Sequence, residues 1–137
     1  MKRQYGQNTN LAAEFFVASQ LFRLGYTVTI TLGNTKEIDL LVAHPDGRTV
    51  TIDVKGLKNK TNWPVNPKLR RKSHFYALVG YNNQFRDPLS TPEVFVLPSM
   101  HITKYLSKWA GRPDITCVGY QRIRNTKYKE AWELLFR

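Results

Sequence analysis

Two short apolar runs joined by a tight turn constrain the fold of this chain more than any other feature. The runs are "EIDLLVAH" and "TVTIDVKG", and the intervening "PDGR" supplies proline, aspartate and glycine where a reverse turn needs them. Aliphatic and β-branched residues dominate both runs, which favours strands. The stretch therefore predicts an antiparallel β-hairpin.

Charged residues interrupt both strands of this hairpin. Asp39 opens the first apolar run, and Asp53 lies inside the second, with Lys55 two places further on. Because side chains alternate along a strand, Asp53 and Lys55 share one face, and the short turn holds Asp39 close to Asp53. The plainer interpretation stays open, in which Asp53 and Lys55 form a surface salt bridge and Asp39 is a solvated strand end.

A cation would explain why two carboxylates are kept side by side. Neighbouring carboxylates repel each other, and a site built from oxygen ligands is what magnesium prefers. Lys55 would lie beside the ion and steady an attacking water or the phosphate that it attacks. The pattern therefore predicts metal-assisted hydrolysis of a phosphodiester.

A helix over residues 10–24 is expected before the hairpin, with Thr9 or Asn10 as its cap and Gly25 at its end. Its acidic residue, Glu14, lies beside the apolar stripe. The stripe consists of Leu11, Phe15, Val17, Ala18, Leu21, Phe22 and Leu24. This helix would carry a third carboxyl group to the sheet.

The rest of the chain predicts a central mixed sheet flanked by helices, in one domain over residues 1–137. An irregular loop follows Gly56, with a short helix near 68–72. The other predicted elements are strands at 26–33, 74–81, 93–98 and 114–120, and helices at 99–111, started by Ser99 and stopped by Gly111, and at 125–137.

Charge is the most unusual feature of the composition. Lysine and arginine total 21 against 10 acidic residues, a net charge of +11, which favours a polyanionic partner, nucleic acid before an acidic membrane. Cys117 is the single cysteine, which excludes an internal disulfide framework and any multi-cysteine zinc site. Without a signal-peptide core or a span-length apolar run, a soluble, cytoplasmic protein is expected.

A basic segment follows the hairpin, because no acidic residue lies between Asp53 and Asp87. Such a stretch would hold phosphates without reading sequence. Its interpretation as a merely solvated loop stays open for the individual lysines. The candidate nucleic-acid contacts are Lys58, Lys60, Lys68, Arg70, Arg71 and Lys72, with Trp63 as the candidate contact to a base or sugar.

The order of these features resembles the PD-(D/E)XK nuclease superfamily, with a helix bearing Glu14, a strand, Asp39, a turn and then "DVK". The resemblance implies a restriction-endonuclease-like core with an αβββαβ opening. It implies that Asp39 and Asp53 bind Mg²⁺, with Mn²⁺ as a substitute, that Lys55 assists the water, and that Glu14 completes the site directly or through water. In size and charge the chain is similar to archaeal Holliday junction resolvases.

The sequence departs from the superfamily pattern in two places. Ile38 stands where the motif has proline, and no clear second helix follows Lys55. The leading hypothesis is a magnesium-dependent DNA endonuclease, plausibly a homodimer. The alternatives are a catalytically inactive nucleic-acid-binding module with the same fold and a basic scaffold for an acidic protein, and RNA stays open as a substrate.

Overall fold

The structure is a computed structural model that describes residues 2–31 and 38–137, and side chains from residue 7 onward. Residues 32 and 33 of the first predicted strand lie outside the described residues. The helices are α1 (Lys2–Arg23) and α2 (Tyr120–Ile123), with 3₁₀ turns at Ile102–Tyr105 and Trp132–Phe136. The strands are β1 (Thr27–Ile30), β2 (Leu40–Ala43), β3 (Thr49–Leu57), β4 (Asn62–Pro64), β5 (His74–Gly80), β6 (Glu93–Pro98), β7 (Leu106–Trp109) and β8 (Arg112–Gly119).

A five-stranded mixed sheet forms the centre, in the order β1-β2-β3-β5-β6, and β4, β8 and β7 form a second, smaller sheet. The pairing of β3 with β5 is parallel, and the other pairings in the large sheet are antiparallel. The predicted hairpin is confirmed, since β2 pairs with β3 and Leu40 lies opposite Ile52. Continuing that register by one residue places Asp39 opposite Asp53.

Apolar side chains cover both faces of the large sheet. One cluster joins α1, through Val17 and Leu21, to Ile52 and Val54 of β3. The other cluster lies between β5 and β6 and the smaller sheet, and Trp63 is among its members. Each fully buried aliphatic side chain contributes roughly 1.5–3 kcal/mol, so the two clusters fix the central sheet firmly between its neighbours.

Helix α1 exists as predicted, but it begins earlier and presents a different face. It runs from Lys2, so Asn10 lies within the helix and caps nothing, while Gly25 follows its end with a φ of 94°. Phe15 and Phe22 are each 53% exposed, and Leu24 is 50% exposed. Val17, Ala18 and Leu21 of the predicted stripe are buried as expected, and Ala13 and Glu14 complete the buried face. Small residues at the contact let the helix approach the sheet closely.

The predicted helices after residue 57 are wrong. Residues 99–111 form a single 3₁₀ turn followed by β7, and Gly111, with a φ of 76°, lies in the turn to β8. Residues 125–137 form a β-bridge between Lys129 and Phe95, and the terminal 3₁₀ turn follows; the Glu130 backbone N–H donates to the Val94 carbonyl. No helix occurs at 68–72; between β3 and β5 the described chain has β4 where the superfamily has its second helix. Pairing with distant strands overrides local helix propensity in these segments.

Candidate active site

Asp39 is fixed across the β2–β3 hairpin at the point where β2 begins. Its backbone N–H donates to the Ile52 carbonyl at 2.9 Å, and its side-chain Oδ2 accepts the Val54 N–H at 2.7 Å. These two bonds hold the Asp39 carboxyl group against the backbone of β3. The carboxyl therefore has little freedom to turn away from Asp53.

Asp53 lies in the middle of β3 and is only 6% exposed. Its Oδ1 is 3.5 Å from the Lys55 ammonium, on the same strand face, and Lys55 is half-buried. Burial raises the pKa of Asp53 to about 8; Lys55 opposes this rise, and the carboxyl of Asp39 adds to it. A solvated surface ion pair has no such buried acid, so the plainer interpretation of these residues does not fit.

Glu14 brings a third carboxyl group to this place from α1. It is 8% exposed, and its side chain hydrogen-bonds with that of Asp39. Burial, and then the charge and hydrogen bond of Asp39, raise the pKa of Glu14 to about 7, while Lys55 acts in the opposite direction. Glu14, Asp39 and Asp53 thus form a linked chain of carboxyl groups that shares one nearby ammonium; we call these three residues and Lys55 the acidic centre.

A close contact between α1 and β3 sets the height of Glu14 over the sheet. The N–H of Gly56 donates to Asn10 Oδ1 at 3.1 Å. A Cβ atom on Gly56 would lie 2.7 Å from the backbone oxygen of Thr9, so glycine alone permits this approach. Sequence reasoning considered Asn10 only as a helix cap and missed this anchoring role.

The oxygen donors of the acidic centre fit a hard divalent cation such as Mg²⁺. Buried carboxyl groups that share hydrogen bonds retain protons, and a cation that replaces those protons relieves their repulsion. In residues 2–31 and 38–137, no three His, Cys, Asp or Glu side chains are arranged so that one ion touches them all. Asp39 and Asp53 would therefore be the direct ligands of such an ion, with Glu14 linked through Asp39.

His74 is a neighbour of this site that sequence spacing did not reveal. It is fully buried, its Nδ1 lies 2.7 Å from Thr51 Oγ1, and its Nε2 has no hydrogen-bond partner among the described residues. Burial and the charge of Arg71 lower the pKa of His74 to about 4, while the charge of Asp39 opposes them. The imidazole is therefore neutral at physiological pH.

Most of the residues predicted to contact nucleic acid are exposed, and Trp63 is the main exception. Trp63 has no exposed surface, and its Nε1 donates to the Val79 carbonyl at 3.0 Å because β4 is paired with β8. The prediction that Trp63 contacts a base or sugar is wrong. The exposed members are Lys60, Lys68, Arg70, Arg71 and Lys72, and Lys58 is half-buried. The exposed cations extend from the end of β3 to the start of β5.

Open clefts reach Lys55 from two sides. One of about 340 Å³ is lined by Asn10, Gly56, Lys58 and Pro64. The other, about 260 Å³, includes Asn66, Asp114 and Thr116. Lys55 lines both clefts. A ligand can therefore contact the ammonium of the acidic centre, although Glu14 and Asp53 are buried.

A likeness to one solved structure accompanies this geometry. The chain is similar to a bacterial homing endonuclease, I-Ssp6803I, with a TM-score of 0.58 over 93% of this chain and 90% of that chain, at 17% sequence identity. At that identity the likeness concerns the fold alone. No protein-family model and no curated protein sequence matches the chain. Among the described residues, no helix has the length and apolar character needed to cross a membrane.

Proposed function

We propose that this chain is a metal-dependent endonuclease that hydrolyses DNA phosphodiester bonds. The observation that carries the proposal is the pair of carboxyl groups, the buried Asp53 and the half-buried Asp39, held beside Lys55 on a sheet whose fold is similar to that of a homing endonuclease. A structural salt bridge needs one acid and one base, whereas this site concentrates acids that burial penalises. The order of the site residues supports membership of the PD-(D/E)XK superfamily.

In the proposed mechanism each residue of the acidic centre has a separate task. Asp39 and Asp53 would hold Mg²⁺ or Mn²⁺, and Glu14 would orient a water at that position from α1. The ion would lower the pKa of its water and neutralise charge on the phosphate. Lys55, which is reachable from both clefts, would position the attacking water and stabilise the negative charge that develops on the phosphate oxygens.

The basic segment would bind the DNA backbone on either side of this centre. Lys58 and Lys60 follow the end of β3, and Lys68 to Lys72 precede β5, whose first residue lies beside Thr51 of β3 in the parallel register. Phosphate contacts of this kind supply affinity without sequence preference. The net charge of +11 favours such an electrostatic grip.

Cleavage of a panel of duplex, single-stranded and four-way-junction DNAs with Mg²⁺ or Mn²⁺ tests this proposal. Asp53→Asn and Lys55→Ala should each lower the cleavage rate by about 100-fold or more while DNA binding is retained. Asp46→Asn and Lys108→Ala are the matched controls, because both residues are exposed and lie outside the acidic centre. Both controls should cleave like the unmodified protein.

Two outcomes would contradict the proposal. Cleavage that survives in Asp53→Asn and Lys55→Ala would place the reaction elsewhere or in a contaminant. Tight, metal-independent DNA binding without cleavage of any substrate would favour the inactive binding module, once a matched RNA panel had also failed to be cleaved.

A further inference from the structure

A cleft beyond the end of β3 has the size and the chemistry of a nucleotide site. Its volume is about 440 Å³, and its lining residues are Asn8, Lys58, Asn83, Phe85 and Arg86. Two of these are cations, two are amides and one is an aromatic ring, and none is acidic. The volume lies in the range of small-molecule sites in proteins.

The floor of the cleft is built into the fold. The N–H of Asn83 donates to the Lys58 carbonyl at 2.7 Å, and the N–H of Tyr81 donates to the Leu57 carbonyl at 2.8 Å. Asn82 and Asn83 have φ values of 54° and 68°, in the left-handed region that non-glycine residues adopt at a cost. Such strained turns cluster at functional sites because the surrounding structure must maintain them.

The aromatic wall of the cleft carries a positive charge. The ammonium of Lys58 lies 5.4 Å from the centre of the Phe85 ring, and Tyr81 packs against that ring at 4.8 Å in an edge-to-face arrangement. Tyr81 thereby fixes the orientation of Phe85. An aromatic surface beside two cations matches a base with its phosphate, and the neighbouring amides of Asn8 and Asn83 match the edge of a base.

The cleft also adjoins the one that reaches Lys55 of the acidic centre. Lys58 lines both this cleft and the one that Lys55 shares with Gly56. Lys58 follows Lys55 by three positions, just after β3 ends at Leu57, and three steps of extended chain span about 10 Å at ~3.3 Å per residue. That distance corresponds to at most about three nucleotides, taking the ~3.4 Å rise of a stacked duplex strand as the shortest spacing.

We infer that this cleft binds one unpaired nucleotide of the DNA strand that the acidic centre cleaves. The base lies against Phe85, its phosphate contacts Lys58 and Arg86, and the nucleotide lies within about three positions of the cleaved bond. A base reaches a concave aromatic pocket only after it leaves the stack. The inference rests on the proposed function for the identity of the strand, and it predicts substrates with an unpaired or flipped nucleotide close to the scissile phosphate.

Fluorescence of 2-aminopurine tests this inference in the full chain. The base is placed at each position of a short single-stranded DNA, and binding is measured in EDTA so that no cleavage occurs. Phe85→Ala and Phe85→Leu should each weaken binding by about 5-fold to 100-fold and remove the position-dependent change in fluorescence. Phe85→Trp should restore both, because it restores a stacking surface.

Phe22→Ala is the matched control, because Phe22 is an exposed aromatic residue on α1 that does not line the cleft. Phe85→Leu keeps an apolar side chain for Tyr81, so it separates stacking from folding. Binding unchanged in Phe85→Leu, or lost equally in Phe22→Ala, would overturn the inference.

A separate cleavage assay distinguishes this inference from the proposed function. A set of DNAs is prepared, each with one unpaired nucleotide at a different distance from the cleaved bond. Cleavage should be fastest when the unpaired nucleotide lies within three positions of that bond. If the unmodified protein cleaves DNA and Phe85→Leu changes neither the cleavage rate nor binding, the nucleotide site at the cleft is rejected and the proposed nuclease function stands. Stacking on Phe85 without cleavage of any DNA would reject the nuclease and leave the cleft as a nucleotide-binding site.

Discussion

Two acidic residues of the central sheet, the buried Asp53 and the half-buried Glu93, have opposite electrostatic surroundings. Glu93 opens β6, and its carboxylate receives hydrogen bonds from Asn82 at 2.6 Å, Tyr120 at 2.6 Å and Lys129 at 2.9 Å. Burial alone would raise the pKa of Glu93, but these donors outweigh it and lower that pKa. Burial raises the pKa of Asp53 to about 8, the Asp39 carboxyl adds to that rise, and Lys55 at 3.5 Å opposes it.

The difference shows that the same carboxyl group can be fully hydrogen-bonded at one place in the sheet and short of donors at another. The carboxylate of Glu93 is saturated with donors from three separate segments of the chain and joins β6 to them. Asp53 is short of donors, so it binds a proton or a cation more readily than a typical aspartate. Because its carboxyl group lacks hydrogen-bond donors, Asp53 is a better candidate than Glu93 for binding a divalent ion.

Removal of Glu93 should produce the largest change in stability. Glu93→Ala leaves the Tyr120 hydroxyl, the Asn82 amide and the Lys129 ammonium without their acceptor, and we expect a loss of about 2–4 kcal/mol in the free energy of unfolding. Urea denaturation in EDTA at pH 8 measures this. Asp53→Asn is the comparison and should unfold at an equal or higher urea concentration. A larger loss for Asp53→Asn would mean that the donor-poor acid is the structural one.

The pH dependence of stability should come next in size. The folded protein retains a proton on Asp53 that the unfolded chain releases near pH 4, so the raised pKa makes stability fall between about pH 4 and pH 8. His74 acts in the opposite direction between about pH 4 and pH 6.5, because its lowered pKa keeps it neutral in the fold. The difference in melting temperature between the unmodified protein and Asp53→Asn isolates the aspartate.

The melting temperature of Asp53→Asn should therefore rise relative to that of the unmodified protein as the pH increases from 5 to 8 in EDTA. A constant difference across this range would show that Asp53 ionises like an exposed aspartate. His44→Gln is a control, because His44 is a half-buried histidine outside the acidic centre, and it should not reproduce the pH-dependent change seen for Asp53→Asn.

Stabilisation by magnesium should be the smallest of these effects. At ten times its dissociation constant a single bound ion adds about 1.4 kcal/mol. Because the ion must displace protons from carboxyl groups with raised pKa values, its effect on melting temperature should be greater at pH 8 than at pH 6. Thermal melts with and without Mg²⁺ measure it. Glu93→Gln should keep the effect and Asp53→Asn should lose it; retention of the effect in Asp53→Asn would reject Asp53 as a ligand.

The parts of the structure that the sequence predicts correctly are those governed by local chemistry. Turn residues define the β2–β3 hairpin, and that hairpin alone brings Asp39 beside Asp53 and puts Lys55 on the same face. The contact of Glu14 with Asp39 also follows from chain order, because α1 packs back on the strands that come directly after it.

The errors occur where a partner lies far away in the sequence. Trp63 has polar neighbours in the chain and looks exposed, but pairing of β4 with β8 buries it. Residues 106–109 have a helical pattern of apolar residues, yet they pair with β8. His74 meets Thr51 only through the parallel β3–β5 register, which no local signal specifies.

The pairing of β4 with β8 also determines when, during synthesis, the sheet that carries the acidic centre acquires the layer packed against it. Trp63 of β4 lies opposite Val118, so a nascent chain that has not yet released residues 112–119 from the ribosome still exposes the face of the sheet that carries Asp53 and Lys55. Contacts this distant in sequence form slowly. Strand β3, with Asp53 and Lys55, is synthesised early, but β8 of the smaller sheet is synthesised only in the last quarter of the chain. The emerging polypeptide therefore carries these side chains before the smaller sheet can pack against the large one.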